Sequence, residues 1–214
     1  MCYNKTSSIL AYSVGIISAI ILYNYGDKYD KHFAFFAILY IHIQLVEFFM
    51  WYDYDCDKHI NHYATITGIV ITAMQPIFII LGAIIFNTTI LSKNTLYALL
   101  TIYSILVLLF IIVFITKDNN FLCSQKIKDK IYLKWDTHNI KDDIYLYLLY
   151  YIIFGIFLLF KNIYKGLLIF TLGIILLIFS LLMSYKNELS DLNSLWCFNS
   201  AIIPSILLLY NFLS

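Results

Sequence analysis

Residues 94–116 read NTLYALLTIYSILVLLFIIVFIT, a stretch without a single charged side chain. An α-helix that crosses the ~30 Å hydrocarbon core of a bilayer needs about 20 apolar residues, and this stretch is long enough. Six further stretches pass the same test, at roughly residues 7–25, 32–52, 62–86, 143–160, 164–185 and 193–213. The sequence therefore predicts an all-α integral membrane bundle of seven transmembrane helices.

The composition agrees with a membrane protein. The chain has 214 residues, of which 62% are hydrophobic and only 13% charged, whereas soluble domains are about 25% charged. A soluble protein this apolar would expose large apolar patches to water, so the lipid bilayer is the predicted partner. Mostly short links between the spans predict one seven-helix domain, residues 1–214. The net charge of +1 predicts no binding to nucleic acid. The sequence leaves open whether the chain forms a homo-oligomer.

The distribution of lysine predicts how the chain crosses the membrane. All fourteen basic residues are Lys, so no Arg is present to clamp a carboxylate or phosphate through two parallel hydrogen bonds. Nine of the Lys lie at the N-terminus and in the second, fourth and sixth loops, which share one side. Because positive residues favour the cytoplasmic side, the sequence predicts a multi-pass protein with a cytoplasmic N-terminus and an external C-terminus.

The second predicted span carries the most informative pattern, a polar and aromatic stripe of Tyr40, Gln44, Glu47 and Trp51. At 100° per residue these side chains fall within about 60° of one another. Glu47 is the only carboxylate in the interior of the predicted spans, where a charged group costs roughly 2.5–3.5 kcal/mol. Such a residue indicates a functional site by default. The alternative is a protonated Glu47 that is hydrogen-bonded to Gln44 or to a neighbouring helix.

Two other spans carry polar stripes of their own. In the third span the stripe precedes Pro76, and its members are Asn61, Thr65, Gly68, Thr72 and Gln75. In the seventh span the stripe consists of Asn193, Cys197, Ser200 and Pro204. These residues either line a polar cavity with Glu47 or pack the helices closely, as small and hydroxyl residues do in membranes. His42, on the opposite face of the second span, is interpreted as a hydrogen-bond donor between helices.

Cysteine and tryptophan gather on one predicted side of the membrane. The residues concerned are Cys2, Cys56, Cys123, Cys197, Trp51, Trp135 and Trp196. Cys56, His59 and His62 are weak candidates for metal ligands, with His138 or Cys2 completing the set, but their spacing matches no standard zinc motif. The sequence therefore predicts neither a metal nor a cofactor. Cysteine pairing stays open between free or palmitoylated thiols on a cytosolic side and a Cys2–Cys197 disulfide on an external side.

Several of these motifs resemble a family of small, uncharacterised seven-helix membrane proteins of bacteria and large DNA viruses. The matching segments are Met1-Cys2, Gln44-Leu-Val-Glu47 with Trp51, Gln75-Pro76, Leu133-Lys134-Trp135 and Ser194-Leu-Trp196-Cys197. The chain has Phe48 where bacterial members usually have Gly. The resemblance implies a seven-helix bundle with a shared cluster of these residues, and it implies no known activity.

Three hypotheses about function follow from these patterns. The first is permeation of a small solute, ion or proton through a polar cavity that opens toward the Cys- and Trp-rich side. Its predicted site residues are Glu47, Gln44, Tyr40, Trp51, Gln75, Thr72, Cys197, Trp196 and Cys2. The second is an intramembrane thiol or metal enzyme, which is the less favoured class. The third is a structural or envelope membrane protein in which the cluster only holds helices together.

Overall fold

The structure is a computed structural model that describes residues 4–117, 121–126, 133–135, 155–184 and 201–213. Four long helices come first along the chain: α1 (Lys5–Tyr25), α2 (Lys28–Tyr52), α3 (Ile60–Phe86) and α4 (Lys93–Lys117). Capping boxes at Asn4 and Asp27 start α1 and α2, because each side chain accepts a hydrogen bond from a backbone N–H that lacks a partner in the first turn.

The second half of the described chain is less regular. A pair of two-residue antiparallel strands, β1 (Gln125–Lys126) and β2 (Leu133–Lys134), follows α4. A 3₁₀ turn (Gly155–Leu159), α5 (Ile163–Ser184) and α6 (Ile203–Leu213) complete the described elements. Five of the described helices, α1 to α5, are long and apolar enough to cross a membrane, as a multi-pass membrane protein requires.

Two of the predicted spans differ from the structure where it describes them. The end of the fifth predicted span, residues 143–160, forms the 3₁₀ turn instead of an α-helix. In the described part of the seventh, residues 201–213, the chain forms a turn at residues 201–202, and the 11-residue α6 begins only at Ile203. Proline at the second position of α6 suits this start, because the first helical turn has no partner for a backbone N–H.

The 3₁₀ turn is held by the link between α3 and α4. The backbone N–H of Ile90 donates to the Leu159 carbonyl at 2.9 Å, and that of Lys161 donates to the Thr88 carbonyl at 2.7 Å. Backbone that leaves the helical conformation near a membrane must be satisfied by the protein itself. These contacts therefore explain why apolar residues before α5 depart from the predicted helix.

The helix α2 lies at the centre of the bundle, packed mainly between α1 and α3. It is the most extensively buried of the five long helices, and α4 is the least buried. Short links make α1, α2, α3 and α4 alternate in direction. We call the end that holds Tyr52 and Ile60 the cap end, and the end that holds Lys28 and Phe86 the far end.

Candidate functional site

Glu47 lies about one and a half turns before the C-terminal end of α2 and has 0% of its surface exposed. The indole Nε1–H of Trp135 donates a hydrogen bond of 3.0 Å to Glu47 Oε1. Trp135 is also buried, although it lies 88 residues away along the chain. The carboxyl group is therefore met in the interior of the bundle by a buried side chain that arrives from the long loop.

Gly68 of α3 provides the space for this tryptophan. A Cβ added at Gly68 would lie 2.7 Å from the ring carbons Cη2 and Cζ3 of Trp135, which is closer than real Cβ contacts allow. The indole therefore occupies the place that a side chain at position 68 would fill. Gly68 belongs to the stripe of α3 that the sequence singled out, so this member of the stripe is explained by close packing.

The long loop folds back onto the bundle as a cap segment, which we define as residues 121–126 and 133–135. Ser124 is its buried anchor: its backbone N–H donates to Asn61 Oδ1 at 2.8 Å, and Asn61 Nδ2 donates back to its carbonyl at 2.9 Å. The Ser124 and Thr65 hydroxyl groups share a further hydrogen bond of 2.8 Å. Asn61 and Thr65, two members of the polar stripe of α3, thus bind the backbone and the hydroxyl group of Ser124 in the cap segment.

A disulfide bond between Cys56 and Cys123 ties the cap segment to the link between α2 and α3, with 6.0 Å between the Cα atoms. Beside it, the backbone N–H of Leu122 donates to Nδ1 of His62 at 3.0 Å. The sulfur of Cys56 is therefore covalently occupied and His62 already accepts a hydrogen bond. Cys56, His59 and His62 are therefore not arranged as a ligand set, and among the described residues no group of three His, Cys, Asp or Glu side chains could hold a metal ion.

Asp53 closes the turn between α2 and α3. Its carboxylate accepts hydrogen bonds from the backbone N–H of Asn61 at 3.0 Å and of Lys58 at 3.1 Å. Burial raises the pKa of Asp53, but the N–H groups of Asn61, Lys58 and Ile60 outweigh it and hold the pKa below its ordinary value of 3.8. The ionised carboxylate therefore serves as the N-terminal cap of α3, since the His59 side chain makes no cap hydrogen bond.

Of the other predicted site residues of α2, two are buried like Glu47 and one is not. Tyr40 and Gln44 are buried, and the ring of Tyr40 packs on Phe36 with 4.9 Å between centroids. Trp51 is half-buried and stacks on Tyr54 near the cap end. The stripe of α2 therefore faces the interior of the bundle at Tyr40, Gln44 and Glu47, and approaches the surface at Trp51.

Gln75 and Thr72 are not part of the Glu47 site. Gln75 is buried, but the antiparallel pairing of α2 and α3 places it level with the first half of α2. Because Gly68 lies beside Val46, Gln75 is about eight residues, or about 12 Å, from the level of Glu47 along the helix axis at 1.5 Å per residue. Thr72 is exposed and its hydroxyl donates to the carbonyl of Gly68 at 2.9 Å, within its own helix. A stripe drifts around its helix, so spacing alone does not fix which members face α2.

Some predicted residues cannot be placed, and one is placed differently from the prediction. Cys2, His138, Trp196 and Cys197 lie outside the described residues. His42 forms a hydrogen bond through Nδ1 with the carbonyl of Ile38 at 2.6 Å, within α2. Its contact between helices is instead a perpendicular ring contact with Tyr12 at 5.6 Å.

A second polar cluster, at the far end, was not predicted from the sequence. Because the second span was predicted to begin at residue 32, Asp30 was counted outside it, yet α2 begins at Lys28 and Asp30 is buried. Lys165, at the start of the sixth predicted span, lies in α5 and pairs with Asp30. The signal that was available is Asp27, which precedes Asp30 by three residues and forms the capping box of α2.

No family model, curated protein sequence or solved structure matches this chain. The resemblance to the seven-helix family therefore stays a prediction. Of its motifs, Gln44 and Glu47 lie on the buried side of α2, and Trp135 contacts Glu47 directly. The functional interpretation consequently rests on the residues around Glu47.

Proposed function

We propose that this chain is a membrane protein for permeation of a small solute, ion or proton, and that Glu47 binds the permeating species. The supporting observation is the carboxyl group of Glu47, fully buried in a helix of membrane-spanning length and hydrogen-bonded by Trp135. Ionisable groups at this depth are costly and most often serve ion or proton pathways. The seven-span layout stays part of this proposal, because two predicted spans lie partly outside the described residues.

The proton is the species that this site fits best. The indole N–H of Trp135 is only a donor, so it can satisfy an oxygen of Glu47 whether or not the carboxyl group carries a proton. A metal cation that loses its hydration water would need several protein ligands in its place, and the described residues contain no group of three acidic, His or Cys ligands. In our proposal Glu47 takes up one proton on a carboxylate oxygen and releases it to water when the cap segment moves away.

The test is proton flux in liposomes that contain the purified protein. Glu47→Gln keeps the shape of the side chain and removes its ability to exchange a proton. We expect a loss of at least about tenfold, because a positioned proton-transfer group contributes roughly 10²–10⁴-fold to rate. The matched control is His42→Gln, which removes an ionisable group from the opposite face of α2 and should leave the flux unchanged. An unchanged flux in Glu47→Gln would rule out this function.

A structural role is the second candidate, and one observation favours it. The cap segment is joined to the bundle by the Cys56–Cys123 disulfide and by the buried contacts of Ser124 and Trp135. In this role the Glu47–Trp135 hydrogen bond only stabilises a closed bundle. Glu47→Ala would then lower the thermal unfolding midpoint strongly, and the wild-type protein would show no flux above that of empty liposomes.

A further inference from the structure

A second group of charged side chains is buried at the far end of the bundle. Lys165 Nζ of α5 lies 2.8 Å from both carboxylate oxygens of Asp30 and 2.8 Å from Oδ1 of Asn211 in α6. The amide of Asn211 donates in turn to Asp30 Oδ2 at 2.9 Å. Three helices thus supply one closed set of hydrogen bonds around the Lys165–Asp30 ion pair.

The charged side chains of this cluster become progressively more buried from the surface inward. The Asp27 side chain is 47% exposed, that of Lys165 is 14% exposed, and that of Asp30 is 2% exposed. Lys165 Nζ lies 3.7 Å from Asp27 Oδ2, so one ammonium group touches an exposed carboxylate and a buried one. The ring of Tyr210 lies 5.7 Å from the same ammonium group.

Stability alone gives little reason to retain such a pair. Removing two charges from water costs about as much as their attraction returns, and apolar replacements of a buried ion pair are often neutral or stabilising. Within a membrane protein, ionisable side chains that face the interior of a bundle mark pathways for ions or protons. The cluster therefore calls for a role connected with Glu47, the other buried carboxyl group of α2.

Asp30 and Glu47 belong to one continuous stripe of α2. Its members follow one another at steps of three and four residues and are all buried: Asp30, Phe33, Ala37, Tyr40, Gln44 and Glu47. The two carboxyl groups are separated by about 25 Å of helix at 1.5 Å per residue. That separation approaches the ~30 Å thickness of the hydrocarbon core, so the stripe places one carboxyl group toward each face of the membrane.

An aromatic cluster separates the two ends of the stripe. The rings of Phe33, Phe36 and Phe157 lie 5.9–6.2 Å from one another between centroids, and all three are buried. Tyr40, Gln44 and Glu47 lie on the cap side of this cluster, and Asp30 lies on the far side. The three rings belong to the packed core of the bundle, and in channels a hydrophobic constriction blocks permeation while it is dry.

We propose that Asp27, Lys165 and Asp30 form the far-end proton site of the same pathway, with the Phe33–Phe36–Phe157 cluster as its barrier. This inference rests on the proposed function of Glu47. A proton that binds a carboxylate oxygen of Asp30 neutralises it, and the Lys165 ammonium then turns toward Asp27. When the proton leaves Asp30 and the barrier opens, the carboxylate of Glu47 accepts it, the Asp30 carboxylate is restored and the Lys165 ammonium group returns to it.

The double variant Asp30→Asn with Lys165→Gln tests this assignment in liposomes. It removes both charges together, so no unpaired charge is left buried. We expect at least about a tenfold loss of proton flux, with a single symmetric peak on size-exclusion chromatography in detergent. The matched control is Lys161→Gln, which neutralises an exposed Lys at the same end and should leave the flux unchanged.

The outcomes separate this inference from the proposed function. Loss of flux in both Glu47→Gln and the double variant supports the far-end site. Loss in Glu47→Gln with normal flux in the double variant overturns the far-end site and leaves Glu47 in place. Unchanged flux in Glu47→Gln overturns both. If the double variant does not fold, Asp27→Asn replaces it, because this side chain is partly exposed; its flux should fall at least twofold, and an unchanged flux overturns the inference.

Discussion

At the residue scale, the structure depends on small residues that make room for large ones. Gly68 lies under the ring of Trp135, and Gly82 lies under the ring of His32, where an added Cβ would overlap the imidazole. His32 is fully buried, with its ring nitrogens hydrogen-bonded to Thr88 Oγ1 and the Ile79 carbonyl. Each glycine of α3 thus allows a polar ring to enter the interior with its hydrogen bonds satisfied.

Gly68→Ala should destabilise the protein and loosen the cap segment. The added methyl group would overlap the indole of Trp135. Overpacking costs about 1–3 kcal/mol, and the gain in helix propensity offsets up to about 1 kcal/mol of this. We expect a lower thermal unfolding midpoint in detergent and faster proteolysis of the cap segment. Gly155→Ala is the control, because a Cβ there meets nothing within 4 Å; an equal midpoint for both variants would contradict the packing of Trp135 on Gly68.

At the scale of elements, the start of α3 is stabilised from outside the helix. His59 precedes α3 with a left-handed backbone and no cap hydrogen bond of its own, so the Asp53 carboxylate accepts hydrogen bonds from the N–H groups of Ile60 and Asn61 in the first turn instead. A negative charge near a helix N-terminus is also favoured by the helix dipole. The turn between α2 and α3, which carries Cys56, therefore depends on an ionised Asp53.

This cap predicts a dependence of stability on acid pH. The folded pKa of Asp53 lies below its ordinary value of 3.8, so the carboxylate contributes stability above pH 3.8. That contribution is lost as the pH falls through the folded pKa. Thermal unfolding between pH 6 and pH 2.5 should show a smaller acid-induced decrease in Asp53→Asn than in the wild type. The control Asp55→Asn removes an exposed carboxylate from the same turn and should keep the wild-type decrease; identical profiles for Asp53→Asn and wild type would refute the cap.

At the scale of the whole molecule, two features disagree about orientation. The lysine bias predicts that the cap end faces the cytoplasm, whereas the Cys56–Cys123 disulfide predicts an oxidising compartment. The bias is nine Lys against five, and a difference of this size is a weak constraint on the orientation of the helices. A disulfide between thiols in a reducing cytosol, by contrast, does not persist. We therefore expect the cap end to face away from the cytoplasm, opposite to the orientation that the lysines predict.

Orientation can be measured on intact cells. A membrane-impermeant reductant followed by an impermeant maleimide should label Cys56 and Cys123, and labelling without the reductant should be weaker. The double variant Cys56→Ser with Cys123→Ser is the control for labelling at other cysteines. Equal labelling with and without the reductant after permeabilisation, together with none on intact cells, would instead place reduced thiols in the cytoplasm and support the lysine bias.

The long apolar helices were predictable because each depends only on its own sequence. A run such as residues 94–116 must be helical in lipid, since its backbone has no water to bond with. The five helices α1 to α5 accordingly begin and end close to their predicted limits. The predicted helix over residues 155–160 failed because this segment bonds with Thr88 and Ile90, which are distant in sequence.

The sequence by itself determined that Glu47 lies inside an apolar span, about one and a half turns from the helix end, because the apolar run extends past it on both sides. Only the tertiary structure decided what meets it: Trp135 arrives from a loop, and Gly68 leaves the space. Likewise, only the tertiary structure joins Asp30 to Lys165 and removes Gln75 and Thr72 from the site. Helical periodicity is a local property, whereas the register between helices depends on side chains that the sequence does not bring together.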